Sequence, residues 1–218
     1  MGRDRMTVIA EDKKIRIIRL QLGPWETNTY ILVCLETKAS VIVDAPAEAN
    51  TIIQALKGTT PAYILLTHNH LDHVGALNEL RNKLKVTLAA HPSDSVNLNT
   101  PPEKSLKGGE KFALGKLEIT VLHTPGHTPG SLCFLVGHYL ISGDTLFPGG
   151  PGNTRSSGDF KQIVGSIKEK LLVLPDNTII FPGHGESTTL KKEKGEITAF
   201  MARSHHPDLH GDVLWKNS

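Results

Sequence analysis

The sequence predicts an α/β fold, a four-layer αββα sandwich, on three observations. The apolar runs are short and rich in β-branched residues, as strands are. Amphipathic stretches at helical spacing fall between them. The mixture occurs twice, in halves separated by a polar, proline-rich stretch over residues 92–109. Two such halves fit two sheets packed together with helices outside. Periodicity alone does not separate this arrangement from an open α/β sheet. A chain of 218 residues is long enough for one well-buried domain, and 1–218 reads as one.

The elements follow in order. Residues 15–22 (IRIIRLQL), 29–35 (TYILVCL) and 40–45 (SVIVDA) read as strands, and 47–57 as a short helix. Residues 62–68 (AYILLTH) form the next strand. In 74–84, Val74, Leu77, Leu80 and Leu84 recur at helical spacing, and 86–91 returns to strand. The stretch 92–109 is the candidate for a mobile loop or short lid. Residues 112–123, 131–137 and 138–144 read as strands. Residues 159–173 form an amphipathic helix with Ser157 or Asp159 as its N-cap. Residues 178–185 are a last strand running into a turn, before a short helix and a tail.

Composition excludes several classes. With 39% hydrophobic and 21% charged residues, the chain reads as an ordinary globular protein. Twenty-four basic residues against 22 acidic ones give a net charge of +2 and no dense Lys/Arg stripe, so no nucleic-acid partner is expected. No apolar run approaches a membrane span, and the N-terminus MGRDRMTVIAEDKK lacks an apolar signal core. A cytoplasmic location is the expectation. The Met-Gly start fits a myristoylation opening poorly, because Met6 stands where Ser or Thr is wanted. Cys34 and Cys133 each sit inside an apolar run and read as buried thiols rather than a disulfide framework.

The chemistry is concentrated in YILLTHNHLDHVG, residues 63–75. His and Asp bind Zn²⁺ or Fe²⁺ as neutral imidazole and carboxylate. His68 and His70 are two apart, so an extended strand end points both the same way. Asp72 continues the alternation and His73 turns onto the start of a helix. Three further candidates follow strands and stand beside glycines: His127 in HTPGHTPGS, Asp144 in ISGDTLF and His184 in FPGHG. Each alone is a weak signal. Together the five histidines and two aspartates suffice for two metals.

THNHLDHVG, TPGHTPGS, GDTLF and PGHG, with the earlier VIVDAP carrying Asp44, resemble the segments of the metallo-β-lactamase superfamily, and within it the glyoxalase II-like (hydroxyacylglutathione hydrolase-like) hydrolases. The resemblance runs from about residue 15 to 190 and implies the αββα fold. It implies two divalent ions, with zinc expected and iron or manganese as alternatives. His68, His70 and His127 would hold the first ion, Asp72, His73 and His184 the second, and Asp144 would bridge them. Asp44 would orient the ligand loop from behind; read by itself it is equally a turn after a strand. Two cations about 3.5–4 Å apart can share a water and lower its pKa from about 15.7 towards about 7. The resulting hydroxide attacks a carbonyl, and the oxyanion is stabilised by a metal. Catalysis would then run through Asp72 and Asp144 by way of the metal-bound hydroxide, with no Ser or Cys nucleophile.

The implied substrate is a small molecule, a thioester such as an acyl-glutathione. GDTLFPGGPGNTR (143–155) resembles the family's GDTLF-x-x-G-C-G-K-x-Y, whose Lys and Tyr grip glutathione. Asn153 and Arg155 stand at those positions, and Pro151 replaces the Cys. Larger members carry a helical C-terminal domain with further glutathione contacts, whereas this chain ends at Ser218, soon after His184. The metal centre is therefore expected to be kept and the glutathione grip changed. Arg155 either pairs with a substrate carboxylate or is a surface residue. A mononuclear-iron persulfide dioxygenase is the alternative from another class; that branch carries Arg where Asn153 stands. A lactonase remains open. A β-lactamase is less favoured, for want of a signal peptide and because the lactamases resembling this pattern lack the bridging aspartate. The near-neutral charge weakens a nuclease, and the absence of thiolate closure weakens a non-catalytic metal module. His205, His206 and His210 read as a packed tail, and His91, His123 and His138 as structural or surface.

Overall fold

The strands expected from the apolar runs pair into two large sheets in the computed structural model, which describes residues 6–96, 98 and 100–217. The Gly2 of the Met-Gly start lies outside them. The first half contains β1 (Met6–Glu11), β2 (Ile15–Leu22), β3 (Thr27–Cys34), β4 (Ala39–Val43), α1 (Ala49–Ala55), β5 (Thr60–Leu65), α2 (Leu71–Val74), α3 (Leu77–Leu84), β6 (Thr87–Ala90), α4 (Pro92–Ser95) and β7 (Lys104–Ser105). The second contains β8 (Lys111–Leu114), β9 (Leu117–His123), β10 (Leu132–Val136), β11 (Tyr139–Gly143), β12 (Leu146–Phe147), β13 (Gly150–Pro151), α5 (Ser157–Ser166), β14 (Ile179–Pro182), β15 (Thr188–Thr189) and α6 (Leu190–Met201).

The first sheet has the order β1-β2-β3-β4-β5-β6-β7, antiparallel to β4 and parallel from there on. The second has the order β15-β14-β11-β10-β9-β8, with β11 and β14 parallel. Three apolar clusters separate four layers. Ile17, Leu32, Val41, Val121, Phe134 and Ile141 lie between the sheets. Ile31, Ile42 and Ile64 face the opposite side, against Ile52 of α1 and Leu77 and Leu80 of α3. Cys133, Leu140 and Ile180 face Phe160 and Ile163 of α5 and Ile197 and Phe200 of α6. The period-2 alternation along β3 and β4 divides their residues between two of these clusters, which is why both strands read as continuous apolar runs.

Several boundaries differ from the sequence expectation, each for a local reason. β1 pairs with β2 although its own residues are largely exposed, so it carries little apolar signal. The helix expected over 74–84 is two, α2 and α3. The loop after β4 intrudes between them: Ala45 N–H donates to His73 O (2.8 Å) and Ala76 N–H to Ala45 O (2.9 Å). The strand expected over 112–123 is the β8–β9 hairpin. The N-cap of α5 is Ser156, whose Oγ accepts from Asp159 N–H and donates to the Asp159 carboxylate. The helix ends in a π-helical turn, Ile167–Leu171. Cys34 and Cys133 are buried and free, as expected. No helix among the described residues is long and apolar enough to cross a membrane.

The stretch 92–109 is tied down, contrary to the expectation of a mobile loop or lid; Asn97 and Asn99 fall outside the described residues. α4 opens it, β7 pairs with β6, and Leu106 is buried between the sheets. Glu103 accepts from Leu88 N–H at 2.8 Å. The strongest tie is Asp94, which is 3% exposed. Its carboxylate accepts from Gly130 N–H (2.8 Å), Thr128 Oγ1–H (2.7 Å) and Asn69 N–H (3.2 Å). One carboxylate thus fastens the loop after β5 to the loop between β9 and β10.

Further bonds join the two sheets at this end. Leu132 N–H donates to Thr67 O (2.8 Å), Asn28 N–H to Gly183 O (2.7 Å) and Tyr30 Oη–H to Pro182 O (2.6 Å). Replacing Asp94 by Ala leaves three donors facing an apolar methyl. Chemical denaturation should show Asp94→Ala destabilised by about 2–4 kcal/mol. A change under about 0.5 kcal/mol, the range of an ordinary surface substitution, would show that the tie carries no stability.

Candidate metal centre

Each expected site residue stands where a strand ends at the stitched end of the sandwich. His68 follows β5, and Leu66 N–H, bonded to Ala89 O (3.0 Å), keeps that strand end paired to β6. His70 is the N-cap residue of α2, which carries Asp72 and His73. His127 lies in the β9–β10 loop, Asp144 follows β11, and His184 follows β14. The fold brings all seven residues together.

The geometry resolves into overlapping groups whose ligand atoms lie within 4.8 Å of one another: His68, His70 and His127; His68, His73 and Asp144; and Asp72, His73 and His184. His70 turns its Nδ1 inward, 3.1 Å from His68 Nε2 and 2.9 Å from His127 Nε2. In the other group, His184 Nε2 lies 3.1 Å from Asp72 Oδ2 and 3.4 Å from His73 Nε2. Asp144 stands between, with Oδ2 3.6 Å from His127 Nε2 and 3.7 Å from His184 Nε2, and Oδ1 3.5 Å from His73 Nε2.

The outer faces of four imidazoles decide their tautomers. His127 Nδ1 lies 2.8 Å from Asn153 O and His184 Nδ1 3.2 Å from Trp25 O. A carbonyl only accepts, so both Nδ1 atoms carry hydrogen. His73 Nδ1 donates to Asp44 Oδ2 at 2.8 Å. Thr67 Oγ1 donates to Asp44 Oδ2 (2.7 Å) and so accepts from His68 Nδ1 (3.0 Å). Each of these rings is left with a bare Nε2 lone pair when neutral, and those lone pairs point inward at one another. This is how metal-binding imidazoles are fixed from behind. Asp44 is 2% exposed, outside the ring of ligand atoms, and also accepts from Thr67 N–H at 2.8 Å.

The titration behaviour reflects this crowding. Burial, then the charges of its imidazole neighbours, pushes His68 well below the ordinary histidine value. Burial likewise lowers His70, with His127 adding to the effect. Burial also disfavours charge on His73, but the Asp44 and Asp144 carboxylates outweigh it and raise His73 to about 10. Asp72 is held below the usual carboxylate range: burial opposes this, but the hydrogen bond from His184 and the charge of His73 prevail. Asp144 is lowered against its burial chiefly by the proximity of His73, with the charges of His127 and His184 adding to the effect. One Asp144 oxygen, Oδ1, is buried with no hydrogen-bond partner. Converging lone pairs, ionised carboxylates and an unpartnered oxygen make a donor set that fits divalent cations.

Gly183 is required by this packing. A Cβ there would fall 2.1 Å from Asp144 Oδ1 and 2.7 Å from His73 Cε1. Asn153 reaches the site through its backbone, while its side chain donates to Asp212 Oδ1 at 2.9 Å. Arg155 lies at a neighbouring cleft of about 330 Å³, with His70 and Asp159. His205 packs on Phe200, with ring centroids 3.8 Å apart, and His91 stacks on His123. Sequence reasoning missed Asp94, Thr67, the Trp25 carbonyl and Asp212. Asp94 had a signal: it follows a strand, as the other acidic candidates do. The Trp25 carbonyl had none, because a backbone acceptor has no residue identity.

The metallo-beta-lactamase superfamily signature matches residues 22–184. The "Probable metallo-hydrolase YqgX" of Bacillus subtilis is 34% identical over 200 residues, covering 82% of this chain and 94% of that protein. The hydroxyacylglutathione hydrolase GloC of Haemophilus influenzae is 34% identical, covering 73% and 86%. Among solved structures, the BLEG-1 B3 metallo-beta-lactamase superposes with a TM-score of 0.75 at 32% identity, covering 82% and 96%. TTHA1623, solved in a di-iron-bound form, gives a TM-score of 0.69 at 32% identity, covering 81% and 96%. With a matching signature over most of its length, this αββα layering and a strand-end cluster of five histidines and two aspartates, the chain belongs to the metallo-β-lactamase superfamily.

Proposed function

We propose that the chain is a dinuclear-metal hydrolase that cleaves a thioester or a related ester. The observation that carries this reading is the position of Asp144, whose carboxylate faces His127 on one side and His73 and His184 on the other. A carboxylate shared between two sets of imidazoles suits two adjacent cations better than one. On this reading His68, His70 and His127 would hold one ion, Asp72, His73 and His184 would hold the other, and Asp144 would serve both. Zinc is the proposed metal, and iron or manganese would also accept this N/O donor set. When bound, the ions would polarise a substrate carbonyl and lower the pKa of a water towards about 7.

The remaining tasks fall to the chain's own residues. Asp44 keeps the His73 proton on Nδ1, and the Asn153 and Trp25 carbonyls do the same for His127 and His184. Thr27 Oγ1 donates to Asp72 Oδ2 at 3.3 Å and steadies it at the cleft. An ionised Asp72 can orient a water by accepting its proton in a hydrogen bond. Arg155, which lines a cleft with His70, would pair with an acidic part of a substrate. Neither thiol is needed as a nucleophile. Cys133 is buried and pushed up to about 11, and Cys34 stands at the far end of β3 from Thr27. Two free thiols fit a reducing cytoplasm.

The thioester reading is supported by the similarity to the Haemophilus hydroxyacylglutathione hydrolase. The competing readings are a one-iron dioxygenase, which would use fewer of these ligands, and a lactonase or β-lactamase. Metal-reconstituted protein should contain about two metals per chain and hydrolyse S-D-lactoylglutathione or another thioester. His68→Ala and Asp144→Ala should each lose metal and at least 100-fold in turnover. One iron per chain with oxygen uptake would sink the hydrolase. Two metals with turnover only of lactones or β-lactams would keep the centre and discard the thioester.

The pH dependence has a definite sign. His73 is raised from 6.5 to about 10 in the metal-free fold. It therefore contributes stability that is complete below about pH 6.5 and lost as pH rises through about 10. A metal needs the neutral ring, so uptake at pH 7 must displace this proton. Calorimetry of metal binding in buffers of different ionisation enthalpy should register proton release. An uptake enthalpy independent of the buffer would contradict this protonation state.

A further inference from the structure

A cleft of about 300 Å³ opens directly on His127, Asp144 and His184, and one of its walls is formed by Asp212, Val213 and Leu214 of the C-terminal segment 211–215. That segment is strapped down at both ends. Gly211 and Thr154 exchange backbone hydrogen bonds of 3.0 and 3.3 Å, and Trp215 N–H donates to Gly149 O at 2.8 Å. The Trp215 ring is 1% exposed and packs edge-on to Phe200, with centroids 5.1 Å apart. Gly150 allows the close approach, since a Cβ there would meet Val213 O at 2.4 Å. Between these anchors Leu214 remains 51% exposed and lines the cleft together with Phe147, whose ring is roughly parallel to that of His184 with centroids 6.4 Å apart.

The chemistry of the walls is one-sided. Phe147, Pro148, Val213 and Leu214 supply apolar surface beside the metal-facing atoms. Among the described residues lining the cleft there is no Lys or Arg, and the charge at its rim is the Asp212 carboxylate. Asp212 also occupies the Asn153 side chain, through the 2.9 Å hydrogen bond. Away from the metal-facing atoms, a substrate portion bearing carboxylates would meet the Asp212 carboxylate and no Lys or Arg. An alkyl or aryl group would bury its surface against the strap.

We propose that the strap makes this cleft a pocket for a short, uncharged apolar group of the substrate. The proposal rests on the metal-centre reading given above, since it seats the reacting group on His127, Asp144 and His184, and it narrows the ester class to substrates with an uncharged apolar portion. Straight-chain carboxylates test it by binding alone, with the carboxylate at the zinc-loaded centre and the chain in the cleft. Titration calorimetry on the zinc-reconstituted chain, from acetate to hexanoate, should show Kd falling about fourfold per methylene. Glutarate should bind at least tenfold more weakly than pentanoate.

Leu214→Asp should flatten the series at unchanged zinc content, while Leu214→Met should keep it. Asp212→Asn should rescue glutarate. A flat series with the unaltered chain overturns the proposal. So does a steep series that Leu214→Asp leaves steep, or a glutarate penalty that Asp212→Asn leaves in place. A steep, Leu214-dependent series without turnover of any thioester would sustain the pocket and discard the reaction. Thioester turnover with a flat series would do the reverse.

Discussion

The metal end of the molecule depends on the buried carboxylate of Asp44. It accepts from Thr67 N–H, Thr67 Oγ1 and His73 Nδ1, so one side chain holds the end of β4, the loop after β5 and the helix α2 in a single arrangement. Its backbone is left-handed, at φ 63°, where a non-glycine residue is strained by about 1–3 kcal/mol. Three hydrogen bonds to a charged acceptor, at about 1.5–3 kcal/mol each, outweigh that strain. Thr29 Oγ1 secures the same turn by donating to Asp44 O at 2.6 Å. Asp94 repeats the device one loop further on, fastening the residues around His70 to those around His127.

These ties explain how a fold can hold an arrangement that is unfavourable by itself. His68 and His73 are buried with ring centroids 4.1 Å apart, and His70 and His127 close the group at 4.6 Å. Imidazole lone pairs facing one another repel unless a proton or a metal stands between them. The Asp44 and Asp144 carboxylates favour a proton on His73, while burial disfavours one on His68. The positions are imposed by strand ends and by hydrogen bonds to the outer nitrogens.

Much of this was legible in the sequence. The seven convergent residues stand at the ends of apolar runs, and strand ends on one edge of a sandwich are brought together by topology. The four layers followed from the two halves, because alternation sends successive residues of β3 and β4 to different apolar clusters. β1 was not legible, since its pairing buries little apolar surface. The break between α2 and α3 was not legible either, because it is made by Ala45, a residue distant in sequence. Asp94 was hidden in a polar, proline-rich stretch whose composition is that of a loop, although burial and three donors fix it. The tail gave no sign of bordering the site, as Val213 and Trp215 show only apolar character and their placement is tertiary.

On these proposals, substrate selection and water activation would lie on different parts of the chain. The metal-facing residues come from the loops of both sheets, while the cleft beside them is closed by a strap that follows α6. The account stands or falls on whether Asp144 lies between two ions. Anomalous diffraction from a crystal of the zinc-loaded protein measures this directly. Two peaks about 3.5–4 Å apart, one beside His68, His70 and His127 and one beside Asp72, His73 and His184, are the expected result. A single peak at the three histidines, with Asp72 and His184 still paired to each other, would contradict it.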